Sequence, residues 1–175
     1  MTVLPVLETE RLILRVPEEQ DFELYRDFYR DREASHFYGG PISSSAAWGR
    51  LARDVGHWHL RGYGQWILQK RNCEQLVGSC GFAWPTDWPR PELTWWIAKS
   101  QRRLGYAKEA SLAAINFAYD TLGWNLVQTH MRDENSAAKS LVLSLGGQVI
   151  SREEFPDCVW RNVYELPDPM KNLEV

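Results

Sequence analysis

A mixed α/β domain, its mostly antiparallel sheet flanked by helices, is the fold class the chain predicts, and three observations carry it. The middle holds three β-rich segments at hairpin-like spacing, and the second half then alternates strand and helix patterns. The third observation is size and composition. With 175 residues, 44% of them hydrophobic and 25% charged, the chain suits a single domain that buries a sizeable core.

Residues 11–16 are short and β-prone and predict a first strand. Residues 18–30 place Phe22, Leu24, Tyr25 and Phe28 near helical spacing, with Asp21 close to the start. Gly39-Gly40-Pro41 breaks the chain. Ser43-Ser44-Ser45 then offers an N-cap, and Trp48, Leu51, Val55 and Trp58 follow at three- and four-residue steps. Residues 65–69, 76–84 and 93–98 predict an antiparallel meander, the last two separated by a turn holding Pro85, Pro89 and Pro91. A helix over 106–121 ends at Gly123, and a strand over 126–131 leads to a second helix over 136–145, closed by Gly146-Gly147. Residues 148–151 and 159–164 complete the pattern as strands. The folded domain is expected over 8–166, with 167–175 as a C-terminal tail.

Charge and cysteine usage exclude several classes of function. A net charge of −3, with no block of like charges, argues against nucleic acid as a partner. Cys73, Cys80 and Cys158 are odd in number and lack CxxC spacing, which argues against a disulfide framework or a zinc knuckle. His57 and His59 share a helical segment with no carboxylate or thiol at ligand spacing, so no metal is expected. Cys80, within a strand, reads as a buried thiol and not as a nucleophile. The first residues show no basic stretch followed by an apolar run, and no apolar stretch approaches a membrane span, so a cytoplasmic protein without a membrane partner is expected.

Chemistry concentrates where a strand pattern meets a helix pattern. Lys99, Arg102 and Arg103 fall just ahead of a helix N-terminus, where cations are disfavoured by roughly 0.3–1 kcal/mol. An anion bound there reverses the sign, because unpaired backbone N–H groups and the helix dipole both favour negative charge. Gly105 lets the backbone approach closely and Ala107 keeps the first turn open. A solvated basic turn is the plain alternative. No GxxxxGK[ST] occurs, and Gly62-Tyr63-Gly64 lacks both the third glycine and the following helix of a dinucleotide fingerprint.

Arg102-Arg103-Leu104-Gly105-Tyr106-Ala107 resembles the Gln/Arg-x-x-Gly-x-Gly/Ala pyrophosphate loop of the GNAT N-acetyltransferase superfamily. Thr9-Glu10-Arg11-Leu12-Ile13-Leu14-Arg15, Leu76-Val77-Gly78-Ser79-Cys80-Gly81-Phe82, and Asn135 with Leu141-Val142-Leu143-Ser144-Leu145-Gly146 are similar to its RimJ/RimL branch. The four motifs stand in register over roughly 8–166. The resemblance implies acetyl-CoA as acyl donor, lying where the strand 93–98 splays from the strand 126–131. Backbone groups near Ile97 and Ala98 would meet the pantetheine arm, and the N–H groups of Arg103, Leu104, Gly105, Tyr106 and Ala107 would hold the pyrophosphate. Arg102 or Arg103 would add charge, and Asn135 would contact the cofactor.

The branch usually carries Ser where this chain has Ala138, so Ser140 is taken as a candidate donor to the leaving thiolate. Glu92 is the first candidate for the base that deprotonates an amine, with His130, Asp133 and Glu134 behind it. Trp84 and Trp88, in the proline turn, offer either an acceptor wall or a homodimer contact. The expected activity is direct acetyl transfer, in a ternary complex, to the primary amine of a small molecule or a protein N-terminus. A non-catalytic acyl-CoA-binding module and a protein-interaction domain remain the alternatives.

Overall fold

The computed structural model describes residues 4–171, so 1–3 and the last four residues of the expected tail, 172–175, lie outside the described residues. Strands β1 (Leu7–Glu8) and β2 (Leu12–Arg15) open the chain. Helix α1 (Phe22–Arg30) follows, entered by a 3₁₀ turn in which buried Asp21 accepts two hydrogen bonds from Arg15, at 2.7 and 2.9 Å, and one from the Glu18 N–H at 2.7 Å. The sequence pattern over 18–30 runs the 3₁₀ turn and α1 together, because a three-residue turn is too short to show a period of its own. Short α2 (Arg32–Ser35) starts at an Asp31 cap, and α3 (Ser44–Arg61) starts at Ser43, whose hydroxyl accepts from the Ala46 N–H at 3.1 Å.

Strands β3 (Gln65–Lys70), β4 (Leu76–Ala83) and β5 (Glu92–Ile97) form the expected meander and extend β1 and β2 into a five-stranded antiparallel sheet, ordered β1-β2-β3-β4-β5. Gly78 is needed where β4 meets β5, since a Cβ there would sit 2.2 Å from the Trp96 carbonyl oxygen. Helix α4 (Tyr106–Asp120) packs against β4 and β5 and buries Ala110, Ala114, Ile115 and Ala118. Then come β6 (Val127–His130), α5 (Ser136–Ser144), β7 (Gln148–Glu154) and β8 (Trp160–Leu166). These last three strands make a second antiparallel sheet, ordered β6-β8-β7.

The architecture is a mixed α/β fold whose strand content divides into two antiparallel sheets. They part between β5 and β6, which share no ladder. Side chains bridge the gap instead: the buried Thr129 hydroxyl donates to the Leu93 carbonyl at 2.8 Å, and Glu92 of β5 meets His130 of β6. One core, including Trp58, Trp66 and Phe82, runs under α4 and across both sheets; a second, around Tyr25, Phe28 and Trp96, lies beneath α1 and α3. Tryptophan use is not wholly internal, since Trp48 and Trp160 are 44% and 53% exposed. No described helix is long and apolar enough to cross a membrane.

Candidate active site

The turn after β5 is built around an unusual backbone. Arg103 has φ 62° and Gly105, the N-cap of α4, has φ 84°, a conformation that suits glycine. Together these residues direct successive N–H groups outward. Among the described residues, none of the N–H groups of 103–108 finds a hydrogen-bond partner, and no side chain caps the helix. Such a run is an anion-binding concavity.

The three cations read at this turn have separate fates. Lys99 pairs with Glu33 at 2.6 Å. Arg102 folds back: its Nε donates to the Ile97 carbonyl and its Nη2 to the Ala34 carbonyl, each at 3.1 Å. Its role as an added phosphate charge is therefore corrected, because the guanidinium already bridges the end of β5 and α2. Arg103 is exposed and takes part in no described ion pair or hydrogen bond.

The N-terminal motif reaches the same turn. Arg11 Nη1 donates to the Leu104 carbonyl at 2.8 Å, and the guanidinium lies 4.6 Å from the Tyr106 ring centroid. Glu109, in the first turn of α4, accepts from the Arg11 Nε at 2.7 Å, the Arg11 N–H at 2.8 Å and the Thr9 hydroxyl at 2.6 Å. Burial alone would raise the Glu109 carboxyl, but these bonds outweigh it and hold the group below its ordinary range. Thr9, Arg11 and Glu109 thus clamp the start of α4. The sequence showed the motif but not its destination, nearly a hundred residues away.

Along the open edge of β5, the carbonyls of Leu93, Trp95 and Ile97 are engaged by Thr129, Tyr38 (2.5 Å) and Arg102 respectively. Ladder alternation points the N–H groups of Trp95 and Ile97 the same way, toward the gap. Ala98 differs. Its N–H donates to Val77 at 2.9 Å and its carbonyl accepts from Gln101 at 2.8 Å, so its backbone offers nothing to an extended ligand. The expectation for Ala98 is corrected; that for Ile97 narrows to its N–H.

At the gap lies a cleft of ≈ 250 Å³, lined by residues of both sheets, α3 and α5. Glu92, at the start of β5, contacts His130, at the end of β6, through Oε2 and Nε2. The His130 ring stacks on Trp88, with centroids 5.3 Å apart and planes 10° apart, and lies 4.0 Å from Phe155. Arg90 anchors the proline turn to β7 through Glu153, at 2.6 Å. Trp88 lines the cleft, as do Asn135 and Ala138. Asn135 Oδ1 caps α5 by accepting from the Ala138 N–H at 3.1 Å, which leaves the Nδ2 donor to face a ligand.

Two further expectations are corrected. Ser140 is exposed and absent from the cleft wall, because it sits two residues beyond Ala138 and so about 200° around the helix. Trp84 is also off the wall. Its indole N–H donates to the Trp88 carbonyl at 2.8 Å, the Arg61 guanidinium lies 4.3 Å over its ring, and its backbone N–H donates to His57 Nε2 at 3.1 Å. Trp84 therefore braces the turn that presents Trp88.

His57 is fixed from both sides, since its Nδ1 donates to the Tyr63 carbonyl at 2.6 Å. Desolvation lowers its pKa and favours the neutral ring that accepts from Trp84. Asp133 pairs with Arg152 at 2.8 Å on the surface, and Glu134 is exposed, so neither joins Glu92. Burial pushes the Cys80 thiol up to about 12, consistent with a structural thiol. Arg50 and Arg53 of α3, together with Tyr38, line the cleft without having been singled out in the sequence, where nothing distinguishes them from an ordinary helix face and loop.

The sequence matches the model of the acetyltransferase (GNAT) domain family over residues 11–148. The uncharacterized N-acetyltransferase YoaA of Bacillus subtilis (strain 168) is 26% identical over 147 residues, 82% of this chain and 83% of that protein. The crystal structure of an acetyltransferase from Agrobacterium tumefaciens str. C58 superposes with a TM-score of 0.83 at 28% identity, covering 94% of this chain and 95% of the other. A spermidine N-acetyltransferase from Vibrio cholerae, in complex with CoA and spermine, shares the fold with a TM-score of 0.70 at 19% identity, over 90% and 94% of the two chains. Sheets that part between β5 and β6, an open amide turn at the start of α4 and a family match across most of the chain lead to one conclusion: the protein belongs to the GNAT acetyltransferase family.

Proposed function

We propose that the protein transfers the acetyl group of acetyl-CoA to a primary amine, by direct attack in a ternary complex. The observation that carries this reading is the gap between β5 and β6, with unpartnered amides at one end and the Glu92–His130 contact at the other. The residues present fit the donor. The N–H groups of Arg103 to Ala107, with the Arg103 side chain, would hold its pyrophosphate, the N–H groups of Trp95 and Ile97 its extended arm, and Asn135 Nδ2 a further acceptor atom. When bound, acetyl-CoA supplies the thioester carbonyl that the amine attacks.

The chain's own contribution is positioning and proton removal. Glu92 accepts the amine proton, through its carboxylate directly or through one water. His130 holds that carboxylate in place and is itself held by stacking on Trp88 and by the tilted Phe155 ring. Ala138 leaves its stretch of the wall without a hydroxyl, so the departing thiolate receives no proton from that position. Holding amine and thioester together supplies much of the acceleration without further groups. The four motifs in register support placement in the RimJ/RimL branch and an acceptor that is a small amine or a peptide N-terminus.

The test is thiol release from acetyl-CoA with a panel of primary amines, alongside CoA titration. Turnover on at least one amine, with saturable acetyl-CoA binding, is expected. Acetyl-CoA bound without turnover on any amine would overturn catalysis in favour of a binding module.

A further inference from the structure

The charges of the cleft do not balance. Among the described residues, four arginines line it, Arg50, Arg53, Arg132 and Arg161, and Glu92 is the one acidic residue on its wall. Asp54 pairs with Arg53 at 2.8 Å, and Asp157 sits between Arg161 at 2.5 Å and Arg132 at 3.6 Å. Arg50 takes part in no described ion pair or hydrogen bond. Its guanidinium lies 5.6 Å from the Tyr29 ring centroid, and a Cβ on Gly39 would approach its Nη2 to 3.3 Å. The fork is thus half-buried on an aromatic face, and among the described residues its N–H donors meet no acceptor. A guanidinium so placed favours a planar carboxylate, which it can meet with two parallel hydrogen bonds.

We propose that the acceptor is an amine carrying a carboxylate in the same molecule, its amine at Glu92 and its carboxylate on Arg50. This rests on the acetyl-transfer reading above and narrows its substrate class. Among the described residues the wall holds no acidic residue besides Glu92, so a second cationic centre finds no carboxylate there, and polyamines are disfavoured. The carboxylate has two sources: a free amino acid, or an acidic side chain next to a peptide N-terminus. Both present the same chemistry to Arg50.

The experiment compares kcat/KM for free amino acids, the same amino acids as carboxamides, and spermidine. A peptide arm sets an acidic second residue against its amide. The acids are expected to exceed their amides by about tenfold or more, the worth of a hydrogen bond to a charged group. Whichever arm shows that preference names the source. Arg50→Gln should remove the preference by raising KM for the acid, and Arg50→Lys should keep part of it, with CoA affinity unchanged in both. Amides or spermidine turned over as well as the acids would overturn the proposal alone. So would an Arg50→Gln variant whose main defect is CoA binding. No turnover on any amine, with acetyl-CoA bound, would overturn the transfer reading and this proposal together.

Discussion

At the start of α4, the groups left without partners are backbone N–H donors of one contiguous turn, residues 103–108. At the Glu92 end, the working groups are side chains gathered from β5, β6, α3 and the proline turn. The first region needs only a local chain conformation, set by Gly105 at φ 84° and held by Thr9 and Arg11 through Glu109. The second exists only once two sheets have met across a gap bridged by Thr129. The difference teaches where variation is tolerated: a backbone site survives most side-chain changes nearby, whereas a convergent side-chain site does not.

The largest expected effect is at the convergent end. Glu92→Gln should lower the rate constant for acetyl transfer by about 10²–10⁴-fold near neutral pH, with CoA affinity unchanged by titration. Ser140→Ala, whose side chain faces away, should leave the rate unaltered, and a slow Ser140→Ala variant would return that residue to the mechanism. At the backbone end, Arg103→Ala should weaken CoA binding about tenfold by loss of one charge-assisted contact. Arg102→Ala should instead cost about 1–3 kcal/mol of stability, from two lost bonds to carbonyls, at about 2–4 °C of Tm per kcal/mol. If Arg102→Ala weakened CoA binding more than Arg103→Ala, the division of labour described here would be reversed.

Thr129→Val probes the joint between the two regions. It leaves the buried Leu93 carbonyl without its donor and should cost about 1–3 kcal/mol, read from denaturant midpoints. A smaller effect on stability concerns pH. The neutral His57 ring is favoured in the folded state, so the unfolded chain takes up its proton first as the pH falls. Stability from this group is therefore complete above about pH 6.5, the unperturbed value, and declines below it. Comparing the pH dependence of unfolding of the wild type and His57→Ala checks this; identical slopes below that pH would remove His57 from the account.

Much of the fold was legible because it is periodic and punctuated. The meander and the later strand–helix alternation stand close to where the pattern put them, and Asn135 caps α5 as a polar residue before an apolar run should. Short β1 and α2 escaped notice, having too few residues to show a period. The strand over 148–151 runs on to Glu154, because an exposed edge strand carries no clean alternation. Ser140 is close to Ala138 in sequence but not on the same face, because two helical steps turn a side chain away. The sequence does not choose between Arg102 and Arg103 as the added charge, because one of the carbonyls that hold Arg102, on Ala34, lies far away along the chain.

The sequence by itself determined the types of the longer elements, the glycine turn ahead of α4 and the excess of cations around it, since each depends on residues within a few positions of one another. Tertiary structure decided which cations remain free, that Trp88 and not Trp84 faces the cleft, and that Glu92 meets His130. It also left Arg50 without a described partner in a cleft where, among the described residues, Glu92 is the one acidic group. The physical reason is the range of the forces involved. Backbone conformation and helix periodicity are local, whereas ion pairing, stacking and burial depend on which distant segments the packed core brings within a few ångströms.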